Sequence, residues 1–390
     1  MDINFRDNKG NNCLLLASQN PNIGVIKYLI EEVKMDTNVK NNSGSNCLLL
    51  AFNSSNIDIA KYLIGELEMS TNTMDIFGNN CLIFASCNSN VDFIKYLIED
   101  LKMDLNYVNK QGSNCLLHAC CYNSNVNVVK YLIESRNMDI NFKDNFNENC
   151  LLCACQNNSS SDILKYLIND KKISIDFKNN NEENCLTYAC RRNTNIDIIK
   201  YLIEDLKVDY NSKNHNGINC LFFAACNPNI NIVKYLVEHV KMDVNVKNDA
   251  GSNCLLYACS YNNNIDIIKY LIETKNMDIN FRDNNGDNCL LYACRNNSEI
   301  NIIKYLVIEK KMDINIRNKF GDNCLLVACQ KNPNLNIIKY LIEHLKMDIN
   351  SKNSCGNNCL MLACKKNPNI DIIKYLIQDL KMNIYLKNNH

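Results

Sequence analysis

Asp283-Asn-Asn-Gly286-Asp-Asn288-Cys289-Leu290-Leu291-Tyr-Ala293-Cys294, a polar turn, then Ile300-Asn-Ile-Ile-Lys304-Tyr-Leu306 is one unit of a pattern that fills the chain. Asn-Cys-Leu recurs with its cysteine at Cys13, Cys47, Cys81, Cys115, Cys150, Cys185, Cys220, Cys254, Cys289, Cys324 and Cys359, at intervals of 34 or 35 residues. Lys-Tyr-Leu recurs eleven times, from Lys27 to Lys374, and each of its first ten lysines precedes the next Asn-Cys cysteine by 20 residues. The one-residue variation in length therefore sits between the two markers, together with all four prolines, Pro21, Pro228, Pro333 and Pro368. An insertion confined to one place marks a surface turn, which absorbs an extra residue where a packed helix does not. A period of this length predicts a stack of repeats, and overrides the two or three domains that 390 residues would otherwise suggest.

Each unit reads as helix, turn, helix and finger. Asn before the apolar run is a good N-cap, because its side-chain oxygen accepts a free N–H of the first turn. The second helix, as in Ile265–Glu273, is apolar around most of its circumference and so packs on more than one side. Met277–Asn280 alternates in an extended sense before a polar tip. Nine of the eleven glycines stand three residues before the Asn-Cys cysteine, which implies a backbone with positive φ at a hairpin-like tip. Asn147 and Glu182 fill that slot in two units; Asn tolerates the conformation and Glu does not adopt it comfortably.

The run Asp283–Ala293 resembles the Asp-x-x-Gly-x-Thr-Pro-Leu-His-x-Ala signature of ankyrin repeats, with Asn, Cys and Leu in place of Thr, Pro and His. Ile302–Leu306 and Met312–Asn315 are similar to the family's Val-Val-Lys-Leu-Leu and Ala-Asp-Val-Asn. The likeness covers all eleven units. It implies an all-α repeat solenoid of helix-turn-helix units with β-hairpin-like fingers, elongated and curved, with residues 1–390 as a single domain. Each unit is one or two residues longer than the usual ankyrin repeat, and the residue common to all units lies after the second helix, where Leu-Lys-Met replaces Gly-Ala. The chain starts and stops within a finger, which leaves no room for an appended domain and predicts fraying or covered ends.

Composition excludes several classes of function. Lys+Arg and Asp+Glu are both 42, so no net charge draws the chain to nucleic acid or an anionic membrane. No basic, then apolar, leader is visible, and no apolar run approaches the length needed to span a bilayer. The 73 asparagines and the lack of Trp point to an AT-rich gene. Most of the 23 cysteines fall in register, eleven in the Asn-Cys slot and seven after the alanine, so they read as small buried hydrophobes in a reducing cytoplasm, that of a host cell if the gene is viral. Cys150 and Cys153 have the only metal-like spacing, yet Cys150 is explained by register and no histidine recurs with the repeat. Of His118, His215, His239, His344 and His390, only His239 and His344 share a slot, near the end of the second helix. No nucleophile, base and orienting group converge, and no phosphate-binding loop or calcium loop is complete, so neither an enzyme nor a cofactor is expected. The recurrent lysine reads as one half of a solvated i, i+4 pair, such as Lys269 with Glu273.

Information then lies at positions that differ between units. In the family these are the finger tips and the exposed end of the first helix, which line the concave side. Here they include Phe77, Phe146 and Phe320 at the tips, and Tyr122, Arg191, Arg192, Tyr261, Arg295, Lys331, Lys365 and Lys366 on the helices. Phe on a polar finger either meets a partner or folds against the next finger. Arg and Tyr are anchor residues of interfaces. The expected function is a scaffold for a protein partner with an acidic patch, which would meet a basic helix floor bordered by acidic finger residues Glu148, Glu183, Asp287 and Asp322. Self-assembly by end-to-end stacking is the alternative, and nucleic-acid binding through the helix-one basic row is the weakest of the three.

Overall fold

A computed structural model describes residues 5–54, 56–157 and 160–383, so Ser55 and His390 lie outside the described residues. The described residues form 22 α-helices, two to a repeat, and contain no strand. They divide into two compact units, Met1–Val208 and Asp209–His390.

The first unit holds six helix pairs, whose first helices are Cys13–Ala17, Cys47–Asn53, Cys81–Ser86, Cys115–Tyr122, Cys150–Asn157 and Cys185–Arg192. The second holds five, beginning at Cys220–Cys226, Cys254–Tyr261, Cys289–Asn296, Cys324–Lys331 and Cys359–Lys366. Within each unit every first helix packs on that of the next repeat. The core is the face they share: Cys289, Leu290, Leu291, Ala293 and Cys294 are all fully buried. Asn caps these helices as the sequence predicts; Asn288 Oδ1, for example, accepts the Leu291 N–H at 3.1 Å.

The second helix begins as an α-helix, such as Ile300–Lys304, and then widens over Tyr305–Glu309. Lys310 N–H donates to the carbonyl of Tyr305, five residues back, at 3.0 Å, and Met312 N–H to that of Leu306 at 3.0 Å. Ten of the eleven repeats share this widened turn, which gives the longer repeat room at the helix end. The exception, Ile57–Gly65, is α-helical throughout. Closing the turn requires positive φ at the next residue, which is Lys in eight repeats, as at Lys311 with φ 54°.

The fingers turn without forming a ladder. An Asp or Asn at the base accepts two backbone N–H groups: Asp75 Oδ1 takes those of Phe77 at 2.9 Å and Asn79 at 2.8 Å. Met74–Asn80 is the one isolated bridge among the described residues. Met277–Asn280 likewise turns instead of extending, because Asp278 Oδ1 captures the Asn280 N–H at 2.9 Å. Glu182 does adopt φ 62°, held by the same turn: Asn179 Oδ1 accepts from Asn181 and Glu183, and Glu182 N–H donates to the Asn179 carbonyl.

Asparagine joins repeat to repeat. Buried Asn332 donates through Nδ2 to the carbonyls of Cys294 at 2.9 Å and Asn297 at 2.8 Å in the preceding repeat, and its Oδ1 accepts the Asn334 N–H. Asn123, Asn262, Asn297 and Asn367 bond in the same way. Whatever the codon bias, asparagine thus fills recurrent structural slots. The second helices are joined by a different device. Lys269 Nζ lies 5.3 Å from the centre of the Tyr305 ring in the next repeat. The Tyr305 hydroxyl donates to Glu273 at 2.9 Å, and Lys310 pairs with Glu273 at 2.7 Å. Glu273 is therefore engaged by the following repeat, and Lys269 by an aromatic face, in place of the i, i+4 pair. His239 stacks on Tyr235 of its own helix, and His344 lies tilted against Tyr340 of its own.

Candidate functional site

Eight of the eleven candidate residues line two clefts, one in each unit. In the first unit Tyr122, Phe146 and Arg192 line a cleft of about 270 Å³ with His118, Asp144 and Glu148. In the second, Arg295, Phe320, Lys331, Lys365 and Lys366 line one of about 360 Å³. Both lie at the small end for ligand pockets, and charged and amide side chains line them beside apolar ones. Phe77 and Tyr261 are exposed but line neither cleft, and the Tyr261 ring meets Tyr257 edge-on at 6.0 Å. Arg191 also lies outside both.

The Asx turn explains the phenylalanines. Each stands two residues after the capturing Asp or Asn, which puts its N–H on the side-chain oxygen and its ring at the tip. Its carbonyl accepts from the next finger: Phe77 from Lys110 at 3.0 Å, Phe320 from Ser354 at 3.0 Å. The backbones are joined, yet the rings stay out; Phe77, Phe146 and Phe320 are 50%, 54% and 57% exposed.

The charges divide differently from the expected basic floor and acidic border. Asp287 is buried, pairs with Arg295 at 2.7 Å and accepts from Asn318 at 2.9 Å. Glu183, also buried, pairs with Arg191. Asp322 is buried and accepts from Asn353 at 2.9 Å; burial raises its carboxyl above the usual range. Glu148 is raised for the same reason, with the Tyr188 hydroxyl donating to it in partial compensation. Arg191 and Arg295 are thus committed to the fold. Removing either would leave a buried carboxylate without its cation, a costly arrangement. Arg192, Lys331, Lys365 and Lys366 are exposed and make no ion pair among the described residues. Sequence reading missed the neutral side of the first cleft. There burial pushes His118 down to about 4, and its Nε2 lies 3.3 Å from Asn109 Nδ2.

Burial also sets the thiols. It pushes Cys47, Cys81, Cys115 and Cys254 up to about 12, far from the thiolate a nucleophile or metal ligand needs. The Asn-Cys thiol instead rests on a buried methionine, as Cys289 Sγ does 3.5 Å from Met312 Sδ. No group of three or more His, Cys, Asp or Glu placed to hold a metal ion occurs among the described residues. No described helix is long and apolar enough to cross a membrane.

A family model described as ankyrin repeats (three copies) matches residues 1–75, 66–144, 136–214, 195–283, 221–318 and 290–388. No curated protein matches the chain.

Proposed function

The chain belongs to the ankyrin-repeat family, whose repeats mediate protein–protein contact and are typically non-enzymatic, and on that premise we propose that it is a scaffold binding a protein partner across its finger tips and helix-one ends. One observation carries the reading. The Leu of Asn-Cys-Leu and of Lys-Tyr-Leu is buried in the inner repeats, whereas the aromatics at variable slots, Phe77, Tyr122, Phe146, Tyr261 and Phe320, are at least half exposed. Aromatic rings kept in water beside unpaired cations are what an interface presents before it is covered. A reducing cytoplasm suits a chain whose cysteines are mostly buried thiols.

The test compares affinity capture from cells of origin by the wild-type chain and by a variant with those five aromatics changed to Ala. Proteins retained by the first and lost from the second identify the partner. Identical captured sets, with both chains folded, would remove the reading.

End-to-end stacking of copies is the second reading. It is supported by Leu16 and Tyr28, 50% and 61% exposed, in slots where Leu50 and Tyr62 are 9% and 3% exposed. A scattering mass that stays at one chain as concentration rises counts against it. Nucleic-acid binding loses support, because Arg191 and Arg295 of its basic row are engaged by buried carboxylates.

A further inference from the structure

We propose that the cleft of the second unit takes an acidic protein segment, one that sets carboxylates beside an apolar side chain. The inference rests on the protein-binding reading and names the chemistry of the partner. Lys331, Lys365 and Lys366 stand in the last turns of Cys324–Lys331 and Cys359–Lys366, where the carbonyl end of a helix favours positive charge. All three are exposed and face the same cleft as Phe320.

The two acids of the cleft are buried and bonded elsewhere, Asp287 to Arg295 and Asn318, and Asp322 to Asn353. The three lysines, with no ion pair among the described residues, therefore leave the cleft a positive charge that an acidic ligand would complement. Phe320 supplies an apolar contact at the edge, and the side-chain amides of Asn285 and Gln330 line the same cleft, where they suit a peptide backbone. The first unit offers no such match: its cleft sets the single cation Arg192 against two acids, Asp144 and Glu148.

The experiment uses the full chain and three labelled probes followed by fluorescence anisotropy: a short peptide of glutamates around one phenylalanine, the same peptide with Gln for each Glu, and a single-stranded oligonucleotide. The Glu peptide should bind at least about tenfold tighter than the Gln peptide, three exposed charge contacts being enough for that, and should weaken as salt is raised. K331E/K365E/K366E should abolish the difference while the chain still melts cooperatively, F320A should weaken both peptides, and K311E, outside the cleft, should change neither. Equal affinity for the two peptides, binding that survives the triple reversal, or tighter binding of the oligonucleotide would each overturn the proposal. Its failure is separable from failure of the wider reading. If the triple reversal still captures the partner that the aromatic variant loses, only the acidic chemistry falls.

Discussion

At the scale of single residues, two side chains carry more than their type suggests. Asn332 satisfies three backbone groups at once, two in the preceding repeat and one in its own. Asn332→Ala leaves buried carbonyls without donors, and should cost about 2 to 4 kcal/mol in urea unfolding. Asn332→Asp is the sharper test. Its carboxylate can still accept from Asn334 but cannot donate to Cys294 and Asn297, so it should be no more stable than the alanine. Wild-type stability for the aspartate would show that the ladder does not join the repeats. His118 predicts a pH dependence of definite sign. Burial lowers it from the ordinary 6.5 to about 4, so the unfolded chain takes up its proton first as pH falls. Its contribution to stability is constant above about pH 6.5 and declines as pH drops towards 4. His118→Leu, a residue other repeats hold at this slot, should flatten that part of the stability curve; an unchanged slope would show the imidazole to be solvated in the folded state.

At the scale of elements, the fold accepts local strain in return for repeat geometry. The chain leaves the second helix through a side chain in left-handed conformation in every repeat, the α-helical one included, and the finger does so again at Glu182. Glycine removes the Cβ clash but adds freedom to the unfolded chain. Glu182→Gly should therefore stabilise by roughly 0.5 to 1 kcal/mol, and Lys311→Gly by a similar amount. Alanine at the same positions should not, because it keeps the Cβ. A thermal melt that rises for alanine as much as for glycine would assign the gain to lost charge instead of relieved strain. The helix and finger pattern was legible from the fixed spacing of Asn-Cys-Leu, Lys-Tyr-Leu and Gly. The widened turn was legible only as an extra residue, since no propensity distinguishes an i→i−5 turn from one more residue of loop.

At the scale of the whole molecule, burial sorts the thiols. Of 23 cysteines, Cys13, Cys355 and Cys364 are exposed, Cys87 and Cys226 half-buried, and the rest buried. Native thiol titration should find three fast-reacting groups, at most two slower ones, and the remainder only on unfolding. Rapid reaction of many more would mean that the repeat stack opens readily. The expectation of one domain over 1–390 carries its own measure: a single cooperative urea transition supports it, and two resolved transitions would divide the chain.

The sequence by itself determined the repeat, the class of its elements, the capping asparagines and the slots where variation is free, because period and register follow from local spacing. It also marked Tyr122, Phe146, Arg192, Phe320, Lys331, Lys365 and Lys366 for the surface. Only the tertiary structure decided which charges are available. Arg191 and Arg192 are neighbours in sequence and alike in chemistry, yet one meets a buried glutamate while the other stays in solvent. Arg295 and Lys365 occupy the same slot, yet Arg295 meets Asp287 where the finger of Lys365 offers Asn357. Both pairs join an acid two residues before the Asn-Cys cysteine to an arginine six after it; the sequence holds that spacing, but only the folded finger shows that it closes into a contact.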